Sequence, residues 1–169
     1  MRILAALALG AVTAVTLFSA PASAAQCPIE RASYQSKEAP NFTMLFREVS
    51  RSRSDTRLQA TIYNGATMGI FGNRVVELTF TYSMGYSVDY AIGTSTAIET
   101  SPGEMLLQSR VIALEADFRA ASISGGPGSA APYAIMIPDI GQQLYNATKH
   151  DPKRQTSIPE GAWVLTVCR

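Results

Sequence analysis

The sequence predicts a mainly β fold, an antiparallel meander in a sandwich or partly closed barrel with one short helix, with an α+β sheet as the alternative. Three observations carry that expectation. Apolar and polar side chains alternate with a period of two between Leu58 and Ile92, turn-forming dipeptides interrupt them at Asn64-Gly65 and Gly72-Asn73, and a short run near residues 140–148 shows helical spacing. The composition, 47% hydrophobic and 16% charged, suits an ordinary globular core and excludes a disordered, collagen-like or highly charged chain.

The chain opens with Met1-Arg2, an apolar alanine-rich run over residues 3–18, Pro21, and then Ala22-Ser23-Ala24, a small-x-small cleavage site. This reads as a secretory signal peptide over residues 1–24, followed by a single β-rich domain over residues 25–169. The apolar run is shorter than the roughly 20 residues that span a bilayer, so no integral membrane segment is expected after cleavage and the protein is expected to be secreted or periplasmic. Cys27 and Cys168 are the only cysteines, and in an oxidising compartment they should pair. Closing a loop of about 140 residues would remove roughly 5 kcal/mol of denatured-state freedom on the chain-entropy argument.

The first expected strand is residues 42–49. The meander follows. Leu58, Ala60 and Ile62 share one face, Asn64-Gly65 supplies a two-residue turn, and a second strand over residues 66–71 sets Leu58 opposite Phe71 and Ala60 opposite Gly69. Gly72-Asn73 turns the chain again, placing Gly69 against Val76. The alternation from Val76 through Ile92 is too long for one ordinary strand. A three-residue loop at Ser83-Met84-Gly85 keeps the apolar set together, pairing Tyr82 with Tyr86, Phe80 with Val88 and Leu78 with Tyr90; a long strand bent at Gly85 would preserve the same face.

Residues 104–121 satisfy both periods, and the strand reading over residues 110–118 is preferred because Met105 and Ile112 fall on the wrong side of a helix. The glycine- and serine-rich residues 124–132 read as a loop, and residues 133–137 as a short strand stopped by Pro138. Asp139 with Gln142 resembles a capping box ahead of Ile140, Leu144 and Ala147 at helical spacing. Residues 163–168 are apolar on both sides, as in a buried strand.

The residue inventory argues against most catalysis. The only histidine, His150, lies in a charged segment, no GxSxG elbow is present, and no catalytic residue, metal site or cofactor is assigned. Removing Arg2 with the leader takes the 14 basic side chains to 13, against 13 acidic ones, so nothing global draws the chain to nucleic acid. A local anion patch is conceivable at Arg47, Arg51, Arg53 and Arg57, since guanidinium forks match phosphate or sulfate, although Glu48 and Asp55 lie among them. Tyr82, Tyr86 and Tyr90 share the meander's apolar face and are the candidate ligand-binding residues.

These features favour an exported, non-enzymatic binding or cell-envelope interaction protein, whose partner is a small molecule or an envelope component. Two alternatives follow from other residues. Glu115 and Asp117 on one face of a strand would stand about 6–7 Å apart, a spacing suited to a small carboxylate-dependent hydrolase acting on envelope polysaccharide. A presented loop at residues 124–132 would suit a secreted enzyme inhibitor.

Overall fold

The computed structural model of the chain describes residues 27–51, 54–65, 73–94, 105–150 and 157–169. The expected leader, Arg53 and the expected strand at residues 66–71 lie outside them. In chain order the strands are β1 (Ala32–Ser36), β2 (Phe42–Glu48), β3 (Leu58–Asn64), β4 (Asn73–Ser83), β5 (Val88–Thr94) and β6 (Met105–Arg110). They are followed by β7 (Ile112–Leu114), β8 (Ala120–Ala121), β9 (Ala134–Met136), the helix α1 (Ile140–Thr148) and β10 (Ala162–Cys168). All ten strands form one antiparallel sheet in the order β6-β5-β4-β3-β2-β1-β10-β9-β7-β8, curled into a half-barrel. The mainly β expectation therefore holds, in its partly closed barrel form.

What curls the sheet is the junction of β6 and β7. They are one run of chain bent at Val111; the first half pairs with β5 and the second with β9, so one edge strand of the sheet and the strand next to its other edge belong to a single segment. At the bend the Val111 N–H still donates to the Asp89 carbonyl at 2.8 Å. Away from the bend, α1 packs along β6. Gln143 Oε1 accepts from the Gln108 N–H at 3.0 Å, and the Ser109 hydroxyl donates to the Pro138 carbonyl. An edge strand with open amides is a template for foreign strands, and α1 covers this one.

The hollow of the curl is filled by side chains. Trp163, Tyr34, Phe46, Phe80 and Met44 are all under 2% exposed. Phe46 stacks on Phe80 with centroids 5.2 Å apart, and Tyr34 meets Phe46 at 5.5 Å. Tyr34 still carries a hydroxyl into this apolar setting, and it donates to the Pro132 carbonyl at 2.9 Å. Burial, reinforced by the negative charge of Glu115, pushes its pKa above the usual phenol range. The expected disulfide is present: Cys27 and Cys168 are bonded, tying the segment before β1 to the last residue of β10.

Four local expectations are corrected. The first is the neighbour of β3, expected to be residues 66–71. β3 has β2 on one edge and β4 on the other, with Ala60 opposite Leu78 and Ile62 opposite Val76, so no place beside it remains for an intervening strand. Packing favours this choice, because β4 offers Val76, Leu78 and Phe80, all buried, where the expected register would have offered Thr67, Gly69 and Phe71.

The second is the turn after β4. Ser83 pairs with Val88, leaving residues 84–87 in the loop, and Tyr82 falls opposite Asp89, Phe80 opposite Ala91, and Leu78 opposite Gly93. Ser87, at φ 49°, holds the left-handed position expected of Gly85. The change of register reverses the parity of β5, turning Asp89, Ala91 and Gly93 inward and Val88, Tyr90 and Ile92 outward. Leu107 explains the preference: a Cβ on Gly93 would lie 2.5 Å from Leu107 Cγ, so the inner row of β5 needs small residues beneath its neighbour.

The third is the strand over residues 110–118. It ends at Leu114, the chain turns through residues 115–119, and Phe118 lies outside the core with φ 64°. The fourth is the cap of α1. Asp139 is itself left-handed, at φ 59°, and its side chain caps nothing. Glu160 Oε1 accepts instead from the Gly141 and Gln142 N–H groups, at 3.0 and 3.2 Å, placing a carboxylate at the positive end of the helix.

Candidate functional site

β4 and β6 both run toward one end of the half-barrel, and β7 carries β6 onward past the bend. Two hairpins turn there. The β4–β5 loop closes with the Tyr86 N–H donating to the Ser83 carbonyl at 3.2 Å. It presents Met84 and Tyr86, 87% and 81% exposed, with Tyr82 at its base. The β7–β8 turn closes with the Glu115 N–H on the Arg119 carbonyl at 2.9 Å and the Phe118 N–H on the Glu115 carbonyl at 3.0 Å. Asp117 Oδ2 accepts from Arg119 Nε at 2.6 Å, which holds the Asp117 carboxyl below its usual pKa. Phe118, at the last corner of this turn, is 77% exposed.

Asp89 joins the two hairpins. It lies one residue into β5, opposite Tyr82, and its backbone carbonyl accepts from Val111 at the entrance to β7. Its side chain reaches the exit of β8: Oδ2 accepts from Ser122 Oγ at 2.9 Å and from the Ile123 N–H at 3.0 Å. One buried residue thus holds both roots of the second hairpin against the root of the first. Its other oxygen, Oδ1, is buried and takes no hydrogen bond from the described residues. The third structure at this end is the β2–β3 connection. Ser54 and Thr56 donate to the Phe80 carbonyl at 2.8 and 3.1 Å, and Asp55 Oδ2 accepts from the Thr81 hydroxyl at 2.8 Å.

The expected tyrosine row is not assembled. Tyr82 sits at the rim of the inner face, Tyr90 is on the outer face opposite Thr81, and Tyr86 stands in the loop. Tyr82 and Tyr86 do share one hairpin. The expected anion patch is largely self-neutralised. Arg47 donates to Gln59 Oε1 at 2.6 Å and pairs with Glu77 at 3.2 Å, while Arg57 pairs with Glu48. Arg51 is exposed in the β2–β3 connection with no acid paired to it among the described residues, and the same is true of Arg110, across from Tyr90 on β6.

Glu115 and Asp117 do not stand side by side on a strand. They belong to the β7–β8 turn, with Asp117 fully exposed and its pKa lowered, the reverse of what a general acid needs. Residues 124–132 are ordered but not presented. The Ile29 N–H donates to the Ser129 carbonyl, the Ala131 N–H donates to the Cys27 carbonyl, and Ala131 and Pro132 are buried. Among the described residues no group of three or more His, Cys, Asp or Glu is placed to hold a metal.

Met84, Phe118 and Asp89 are the residues that the sequence reading did not single out. Phe118 was hidden because its parity matched the inner face of a strand that does not extend that far. The Asp117-x-Arg119 pair, which closes a turn, is the local signal against that strand. Comparison with known proteins finds no matching family model, no similar curated protein and no similar solved structure. The reading of the site rests on its own geometry.

Proposed function

We propose that this is an exported, non-enzymatic binding protein that engages a component of the cell envelope through the two hairpin tips held together by Asp89. The carrying observation is that Met84, Tyr86 and Phe118 are exposed on tips with a common buried anchor, while the apolar residues of the half-barrel interior are packed against one another. Exposed aromatic and methionine side chains grouped at one place mark contact surfaces. Export is supported by the leader-like residues 1–24 and by the disulfide, which persists in oxidising compartments. The hydrolase alternative draws no support from an exposed Asp117 with a lowered pKa.

The test is sedimentation of the mature chain with purified envelope fractions, comparing it with Met84→Ser/Tyr86→Ser/Phe118→Ser. The expected result is binding by the parent chain and a loss of at least about tenfold in the variant, from removing three apolar contacts. Equal binding by both chains would refute the role of the tips, provided thermal unfolding shows that the variant remains folded.

A further inference from the structure

We infer that a second copy of this chain packs on the outer face of the sheet at β7, β9 and β10, forming a two-fold dimer; the inference is independent of the envelope reading. The observation is a change in character around the half-barrel. Over β2, β3 and β4 the outer face carries mostly polar groups, among them Thr43, Arg47, Gln59, Thr61 and Glu77. Over β7, β9 and the paired part of β10 it carries none. Ala113, Ile135 and Trp163 face the core and are no more than 4% exposed. The residues that alternate with them, Ile112, Leu114, Ala134, Met136, Ala162 and Val164, therefore point outward. A strand with one wet face alternates, as β4 does with Glu77 and Thr79 between Val76, Leu78 and Phe80. Unbroken apolar runs belong to strands covered on both sides. Here all ten strands lie in one sheet and α1 packs along β6, so among the described residues no second sheet and no α-helix covers this face.

Three features fit the face to itself. The first is charge. None of the six outward residues is charged, and homodimer interfaces are the more apolar class of protein contact. The second is shape. Ile112, Met136 and Ala162 form one row across the strands, and Leu114, Ala134 and Val164 form the next. A two-fold axis running between the rows sets Ala134 on the partner's Met136 and Ala162 on the partner's Val164, small against large. Two sheets about 10 Å apart interdigitate in this way, and the contact closes on itself. The third is size. Three strands about 4.8 Å apart, with two outward residues each, make a dry centre of about 200 Å². Gln35 opposite Val164, Ala120 opposite Leu114 and the exposed Val167 extend it at the margins. A standard interface covers about 800 Å² of each partner, so the expected dimer is a reversible one.

The experiment is sedimentation velocity on the mature, disulfide-bonded chain from about 1 to about 300 μM, with a dissociation constant of about 10 μM expected. Met136→Lys and, on a separate strand, Val164→Lys should each weaken the dimer at least about tenfold by burying a charge at its centre. Thr79→Lys, on the polar part of the same outer face, should leave it unchanged, as should Met84→Ser/Tyr86→Ser/Phe118→Ser. Thermal unfolding at low concentration should show every variant folded, because the substituted side chains point away from the core. A dimer that survives both lysines on the apolar face, or is lost with the tip residues, would overturn the inference. A parent chain monomeric at all concentrations would overturn it too. In that case a sharp loss of stability in both Met136→Lys and Val164→Lys would assign the cover to another segment of the same chain, and unchanged stability would leave the face to a different protein.

Discussion

The half-barrel interior and the hairpin end use the same kinds of side chain for opposite purposes. Phe46 and Phe80 stack face to face with no more than 1% of either exposed, whereas Phe118 and Tyr86 are at least three-quarters in solvent. Burial of apolar area stabilises the fold at about 25 cal/mol per Å². The tips have forgone that gain, so their free energy is still available to a partner. The contrast separates buried from exposed apolar side chains by position along single strands, and on the proposed function it separates stability from binding. β4 places Phe80 in the core and, two residues on along the same face, Tyr82 at the rim.

Phe46→Ala is the sharpest way to test that separation and carries the largest expected effect. It removes the ring lying between Tyr34 and Phe80 and should cost about 3–5 kcal/mol in a denaturant titration. Met84→Ser and Tyr86→Ser, tested the same way, should each change stability by less than about 0.5 kcal/mol. A large loss from either tip substitution would show that the tips belong to the folded body, and the division drawn here would fail.

How much of this was readable in the sequence depends on the reach of each determinant. β2, β3, β4, β9, α1 and the Cys27–Cys168 staple follow from period, turn residues and counting, all properties of short windows. The register of β5 does not. Val88, Tyr90 and Ile92 are the more apolar row, and only the approach of Leu107 to Gly93, across a strand pair, selects the other row for the inside. The cap of α1 is likewise distant, since Glu160 replaces Asp139 from 19 residues beyond Gly141. Tyr82 and Tyr86 share one hairpin, whereas Tyr90 faces the outer side of the sheet, because a different loop length reverses the parity of a whole strand. Asp89 reads as an ordinary polar position until Ser122 and Ile123 are brought to it.

Asp89 is where the two regions are joined, and its removal should have an intermediate effect. Asp89→Ala leaves the buried Ile123 N–H without an acceptor while relieving the burial of Oδ1. A net loss of about 2 kcal/mol is expected. Asp89→Asn keeps one oxygen for both donors and should lose under about 1 kcal/mol. Amide hydrogen exchange distinguishes an anchor from a passive core position. In Asp89→Ala, Ile123 should exchange much faster, while Val111, bonded to the backbone carbonyl of residue 89, should keep its protection. Unchanged exchange at Ile123 would remove Asp89 from its place between the hairpins.

A small stability effect of opposite sign sets stability against the proposed binding most directly. Phe118 holds φ 64°, a left-handed conformation that costs an L-residue about 1–2 kcal/mol, and its ring is 77% exposed, so little packing offsets the cost. Glycine adopts this conformation without a Cβ penalty but gives the unfolded chain more freedom, worth up to about 1 kcal/mol. Phe118→Gly should therefore raise the unfolding midpoint slightly, by the equivalent of about 0.5 kcal/mol. The same substitution should weaken association with envelope fractions, because the ring is the only large apolar group on that tip. Greater stability with unaltered association would mean the strained ring has no part in contact. A fall in stability would mean the ring packs on the body and Phe118 belongs with the interior set.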